Sequence, residues 1–175
     1  MRLLYVVLAA VLRATTVPAQ GEDAWPQRPV TMVVPFQAGG SADLLARILQ
    51  QRMQTDFGSP FVVENRSGAG GSVGTAYVAK AANDGYTLLL GTLSGNVLNQ
   101  YVYDKLPYDP ERDFQPISLL VHLPNLLVVN KNVPVKTVAE LIAHLKANDG
   151  KLNYGSSGVG TSSQLSVVMF ALATG

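Results

Sequence analysis

An open α/β sheet is the fold class this sequence predicts, and three observations predict it. Short β-branched runs recur at residues 28–35, 61–64 and 86–90; runs of this length without alternation suit strands buried on both faces of a parallel sheet. Each run gives way to a loop of glycine, hydroxyl and amide residues, at 37–41, 65–71 and 91–96. Segments with apolar residues at helical spacing follow the first two loops, the pattern of parallel strands joined by right-handed crossover helices. Ligands of such sheets bind beyond the carboxyl ends of the strands, which is where these loops fall.

Taken in order, residues 1–19 read as a secretory signal. Arg2 precedes an apolar stretch from Leu3 to Leu12, and Val17-Pro18-Ala19 is a small-residue cleavage site. A membrane-spanning helix needs about 20 apolar residues, and Arg13 ends this run too early. Cleavage after Ala19 removes Arg2 and Arg13 and takes the balance from 13 basic against 12 acidic residues to 11 against 12. With no cysteine anywhere in the 175 residues, the exported chain has no disulfide framework and no thiol for a lipid anchor, so its stability must come from its core.

The first strand, 28–35, is bounded by Pro29 and Pro35. From Ala42 to Met53, the residues Leu44, Leu45, Ile48, Leu49 and Met53 recur at helical spacing, with Ser41 placed to cap the helix and Asp43 in its first turn, where a negative charge suits the dipole. A second strand at 61–64 leads through a glycine loop into a helix over 72–82, stopped by Asn83-Asp84-Gly85. The third strand, 86–90, opens into the loop 91–96. Residues 107–116, with three prolines among acidic side chains, read as an extended connector. The connector divides a first lobe, 20–116, from a second, 117–175. Beyond it strands are expected at 117–121, 125–129 and 152–154. Thr137 to Glu140 has capping-box form ahead of a helix with Val138, Leu141, Ile142 and Leu145 on one face, and a last glycine loop, 155–160, precedes a helix over 161–174.

Composition and motifs exclude several functions. An apolar content of 47% with 14% charged residues is that of a globular chain, not a disordered one. Near-neutral charge without a basic cluster offers nothing to nucleic acid. The segment from Gly68 has Val73 where a dinucleotide fingerprint needs glycine, and that from Gly155 has Thr161 where a P-loop needs lysine. Gly70-Gly71-Ser72-Val73-Gly74 matches the nucleophile-elbow pattern, which makes a small serine hydrolase the enzyme alternative. Yet Ser72 stands several residues past its strand, and only His122 and His144 could serve as base. No metal-ligand spacing exists, and no cofactor is implied.

Two helix starts preceded by glycine and hydroxyl residues remain. First-turn N–H groups lack partners and the dipole is positive there, so a carboxylate can be held without a charged side chain. Gly39, Gly40 and Ser41 form one cup; Ser157, Gly158, Gly160, Thr161 and Ser162 form the other. Together they could hold one small dianion. Asp43 would repel a bound carboxylate, so it either points aside and supports the helix start, the favoured reading, or meets an ammonium or hydroxyl group of the ligand.

The segments VPFQAGGSADLLARIL, VVENRSGAGGSVGTAYVAKAANDGYTLLLGT, LPYDPERDFQPISLL and KLNYGSSGVGTSSQL closely resemble the substrate receptors of tripartite tricarboxylate transporters, the Bug-type extracytoplasmic solute receptors. The resemblance implies a type II periplasmic binding-protein fold, α/β, whose two lobes with mainly parallel sheets close on a small organic acid. It implies a periplasmic receptor that catalyses nothing and hands its ligand to membrane permease subunits. Carried over by motif, Phe36, Ala38, Gly39, Gly40, Ser41 and Asp43 would line the ligand with Thr92 and Ser94 from the first lobe, and Ser156, Ser157, Gly158, Gly160, Thr161 and Ser162 from the second. Gln164 stands where the family often has histidine. Such receptors are longer, their chain crossing back to finish each lobe, so a truncated form is expected here, with the second lobe and the return crossings incomplete. Such a form would expose apolar surface, be poorly stable alone, and could be a non-functional remnant.

Overall fold

The computed structural model describes residues 25–175; the expected signal, 1–19, lies outside them. Three parallel strands, β1 (Val30–Val34), β2 (Phe61–Asn65) and β3 (Thr87–Leu89), form one sheet in the order β2-β1-β3. The register sets Val30 beside Phe61 and Val34 beside Asn65 on one side of β1, and Thr31 beside Thr87 and Val33 beside Leu89 on the other. Central β1 is the best-buried strand: Val30, Val33 and Val34 are wholly inaccessible. All three strands point the same way, so the loops leaving them gather at one edge.

Helix α1 (Ser41–Phe57) covers the face carrying Val30, Met32 and Val34, using Ala42, Leu45, Ala46, Leu49 and Met53. This face differs from the expected one. Leu44 and Ile48 are 61% and 58% exposed, while the small Ala46 is fully buried. The stripe is therefore rotated toward the alanines, whose short side chains let the helix lie close to β1. Gly40, not Ser41, takes the cap position, and no side chain of that residue closes the helix start.

A tight 3₁₀ turn, Ala69–Gly71, leads into α2 (Ser72–Ala79), which ends before the expected Ala82. This helix packs on β1 and β3. Gly74 makes its crossing possible, since a Cβ there would stand 2.7 Å from the Arg66 carbonyl oxygen and 2.8 Å from Pro35 Cα.

The loop expected beyond β3 turns helical at once, as the wide turn Ser94–Leu98 and the short α3 (Asn99–Val102). Its polar residues cap that turn: Thr92 N–H donates to Asn96 Oδ1 at 3.1 Å, and Gly95 N–H donates to Thr92 Oγ1 at 3.4 Å. The connector 107–116 is likewise less extended than expected. Tyr108 is buried, donates to the Gly95 carbonyl at 2.7 Å and meets Phe114 edge to face.

Downstream, α4 (Val138–Ala147) forms with its capping box. Thr137 Oγ1 accepts the Glu140 N–H at 3.2 Å, and the Glu140 carboxylate accepts the Lys136 N–H at 2.6 Å. Helix α5 (Ser162–Thr174) also forms. The strands expected at 117–121, 125–129 and 152–154 do not. None pairs with another described segment, and Ile117, Leu126 and Val128 are about four-fifths exposed. Ladder bonds need a neighbouring strand.

Candidate functional site

In the order β2-β1-β3, connections leave β1 in opposite directions, so a crevice opens between the loops that follow β1 and β3. Phe36, Ala38, Gly39, Gly40 and Ser41 stand in the first of these loops; Thr92 and Ser94 stand in the second. The structure thus gathers these seven expected residues at one sheet edge. Phe36 is half-buried, Ala38 to Ser41 are exposed, and Ser94 is buried.

The first loop is held from below by Asp43, whose side chain is 4% exposed. Its Oδ2 accepts the Gly39 N–H at 2.9 Å and Arg47 Nε at 3.0 Å, and its Oδ1 accepts Asn65 Nδ2 at 3.0 Å. The Asn65 amide also donates to the Phe36 carbonyl at 3.1 Å. The Arg47 hydrogen bond, followed by those from Gly39 and Asn65, lowers the Asp43 carboxyl from 3.8 to about 2, against the opposing effect of burial. Asp43 is therefore fully engaged as a support for the loop. With Gly39 N–H bound to Asp43, the N–H groups of Gly40, Ser41, Ala42 and Asp43 make no hydrogen bond among the described residues, and Leu44 N–H makes the first helical bond, to Gly40 O. Those four donors are the open end of the α1 dipole.

At the second cup, five N–H groups are satisfied within the chain. Ser157 N–H donates to Ser163 Oγ, Gly158 N–H to Ser156 Oγ, Gly160 N–H to Gln164 Oε1, Thr161 N–H to Gly158 O and Gln164 N–H to Thr161 Oγ1. Thr161 and Gln164 are a reciprocal capping box reaching one residue further back than usual. Ser162 and Ser163 keep unengaged N–H groups among the described residues. Thr161 and Gly160 are buried, and Ser156 and Ser157 exposed. No hydrogen bond links Ser156 to Ser162 with either loop of the first edge. The segment reaches the three-stranded unit instead through Val159 and Gly160, which lie against Gly70, Asn99 and Tyr103.

Ser72 lacks a catalytic setting. It is buried, and its hydroxyl accepts Asn99 Nδ2 at 2.8 Å; no imidazole is bound to it, and His122 is exposed in the unpaired segment. Nor do cations enter the first cup: Arg47 is bound to Asp43 and Arg66 to Glu64. A hollow of about 360 Å³ beside Tyr103 contains none of the expected residues, and its Asp104, Asp109 and Glu111 would repel an organic anion.

The supporting residues Asn65, Arg47, Asn96 and Asn99 escaped the sequence reading. Only Asn65 and Asn96 had a local signal, an amide in a glycine-bearing loop after a strand.

A family model described as tripartite tricarboxylate transporter family receptor matches residues 45–175. The chain belongs to this family. BugT of Bordetella pertussis is 37% identical over 175 residues, an alignment covering 99% of this chain and 54% of BugT. Among solved structures, Rpa4515 of R. palustris with adipate superposes with a TM-score of 0.84 at 42% identity, over 86% of this chain and 50% of that one. MatC from Rhodopseudomonas palustris with bound malate gives 0.80 at 36% identity, over 86% and 51%. The architecture is thus the α/β fold of periplasmic binding proteins, and the chain spans about half the length of the curated relatives it matches. The family is one of solute-binding receptors, and among the described residues no helix is long and apolar enough to cross a membrane.

Proposed function

We propose that this chain is part of a periplasmic receptor that captures a small organic acid beyond the carboxyl ends of β1 and β3. The acid is then delivered to the permease subunits of a tripartite tricarboxylate transporter. The observation that carries this reading is the row of four unengaged N–H groups from Gly40 to Asp43 among the described residues, at the switch point of the sheet. Such a row binds a carboxylate by main-chain hydrogen bonds and the helix dipole. Asp43 positions it by tying Gly39 down, while the half-buried Thr92 offers its hydroxyl from the neighbouring loop, in which Ser94 is buried. Residues 117–175 form the facing lobe, and Ser162 and Ser163 are its available donors. The chain carries out no catalysis in this role. Relatives that hold adipate and malate point to dicarboxylates as the ligand class.

Calorimetric titration of the chain from Gln20 onward with adipate, malate, benzoate and glutamate tests the reading. Heat of binding is expected for a dicarboxylate. Gly40→Val should weaken that binding at least tenfold while leaving the fold intact. Its backbone is extended, and a Cβ there meets nothing nearer than the Gln37 carbonyl oxygen at 3.6 Å. No heat with any acid, or unchanged affinity in the variant, overturns the site. Export by residues 1–19 predicts a processed N-terminus at Gln20, readable by sequencing the exported protein.

A further inference from the structure

We propose that Gly70, Asn99 and Tyr103 form a clasp for the Val159–Gly160 backbone, and that this clasp fixes where the start of α5 stands relative to the three-stranded unit. All of its atoms belong to the chain, so it goes beyond the receptor reading and does not depend on it.

Asn99 is wholly buried. Its Nδ2 donates to the Gly70 carbonyl at 3.2 Å and to Ser72 Oγ at 2.8 Å. A carbonyl can only accept, so the amide orientation is fixed by Gly70. Oδ1 then points the other way, buried and without a hydrogen-bond partner. What lies against it is Gly160, in a left-handed conformation with φ +79°, where a Cβ would stand 2.5 Å from Oδ1 and 3.4 Å from the Tyr103 ring. One residue earlier, a Cβ on Gly70 would overlap the Val159 carbonyl oxygen, and the Tyr103 hydroxyl donates to that same oxygen at 3.3 Å. Two glycines facing each other's segments thus permit backbone-to-backbone contact between stretches of chain far apart in sequence.

The unpartnered Oδ1 gives the clasp its character. A buried acceptor without a donor is unfavourable, so the packing of Gly160 and Gly70 around this one carries a cost. The contact is therefore held by packing and by the Tyr103 hydrogen bond against the desolvation of Oδ1. Gly70, Tyr103 and Gly160 set how tightly the two parts hold together.

The absence of cysteine allows a clean test. Gln51→Cys on α1 and Leu172→Cys on α5 place spin labels on exposed positions of the 175-residue chain, and double electron–electron resonance reads the distance between them. The unaltered clasp is expected to give a single narrow peak. Gly160→Ala and Gly70→Ala, breaking the contact from opposite sides, should move it to longer distance, and Tyr103→Phe should broaden it. Gly158→Ala is the control for backbone strain: it has φ +124° but open space where its Cβ would go, so the peak should stay in place. Hydrogen exchange of the β1 amides shows for each variant that the sheet is formed, and Tyr103→Phe adds no atoms that could unfold it. The clasp is overturned by a broad distribution in the parent chain, by an unmoved peak in Gly160→Ala, or by an equal shift in Gly158→Ala.

Discussion

Residues 30–90 and residues 117–154 carry the same local signals, short apolar β-branched runs beside helical segments, and only the first set forms a sheet. The difference lies in neighbours. β1 has a parallel partner on each side and helices against it, so its three valines are wholly inaccessible. Residues 117–121 and 125–129 have equally suitable side chains, yet nearly all of these stay exposed. Strand propensity describes a fit to a pleated, half-buried surface, and without that surface it produces no ladder. Helix α4 forms within that region, and α5 just beyond it, because their hydrogen bonds are local and their caps are supplied by Thr137 and Thr161.

Substitutions should separate the two regions, and the largest effect belongs to the core. Phe61 is 1% exposed and joins Val30 and Met32 beneath Leu49 and Met53. Phe61→Ala should cost about 3–5 kcal/mol in denaturant unfolding. Leu126→Ala, at a position 82% exposed, should change stability by no more than about 0.5 kcal/mol. A large loss in the second variant would mean that the 117–129 run is buried in solution, by self-association or otherwise, and would erase the contrast. Next comes the close crossing of α2 over Pro35. Gly74→Ala forces a methyl against two backbones and should cost about 1–3 kcal/mol by the same measurement. Below it stands Thr137→Ala, which removes the hydroxyl that accepts the Glu140 N–H. About 1 kcal/mol of α4 stability should go with it, seen as lost helix signal without any change in β1 amide protection.

Much of this contrast was readable from the residues. The first two β-loop-α units, the third strand, the order of elements through Leu90, and the gathering of Gly39, Gly40, Ser41, Thr92 and Ser94 at one edge all follow from local patterning and the crossover rule. The buried face of α1 was readable only in part: Leu45, Leu49 and Met53 pack on the sheet as expected, but Ala42 and Ala46 carry little hydrophobic signal, whereas Leu44 and Ile48 carry much and face water. Nor were the long-range supports. Asn65 and Asp43 are 22 residues apart and Asn99 and Ser72 are 27 apart; nothing in a window of either residue shows that they will meet. The missing strands failed for the opposite reason: their local signal was sound, and the outcome depended on partners.

The smallest expected effect is local and separates the two helix starts by their chemistry. The α1 start is held by an ionised Asp43, the α5 start by the neutral pair Thr161 and Gln164. In the folded chain the Asp43 carboxyl lies at about 2, below its ordinary 3.8, first because Arg47 donates to it and then because Gly39 and Asn65 do. A depressed carboxyl stabilises the fold fully above its ordinary value, and that contribution fades as pH falls from 3.8 through about 2. The half-exposed Arg47 keeps the partnership open to solvent, so the change should be confined to the loop. Nuclear magnetic resonance of the Gly39 amide should show a transition centred near pH 2 that disappears in Asp43→Asn, while the Gly160 amide stays flat over the same range. A Gly39 midpoint near 4 would show that the three donors do not hold the carboxylate. The contrast between a charged and a neutral helix start would then have no basis.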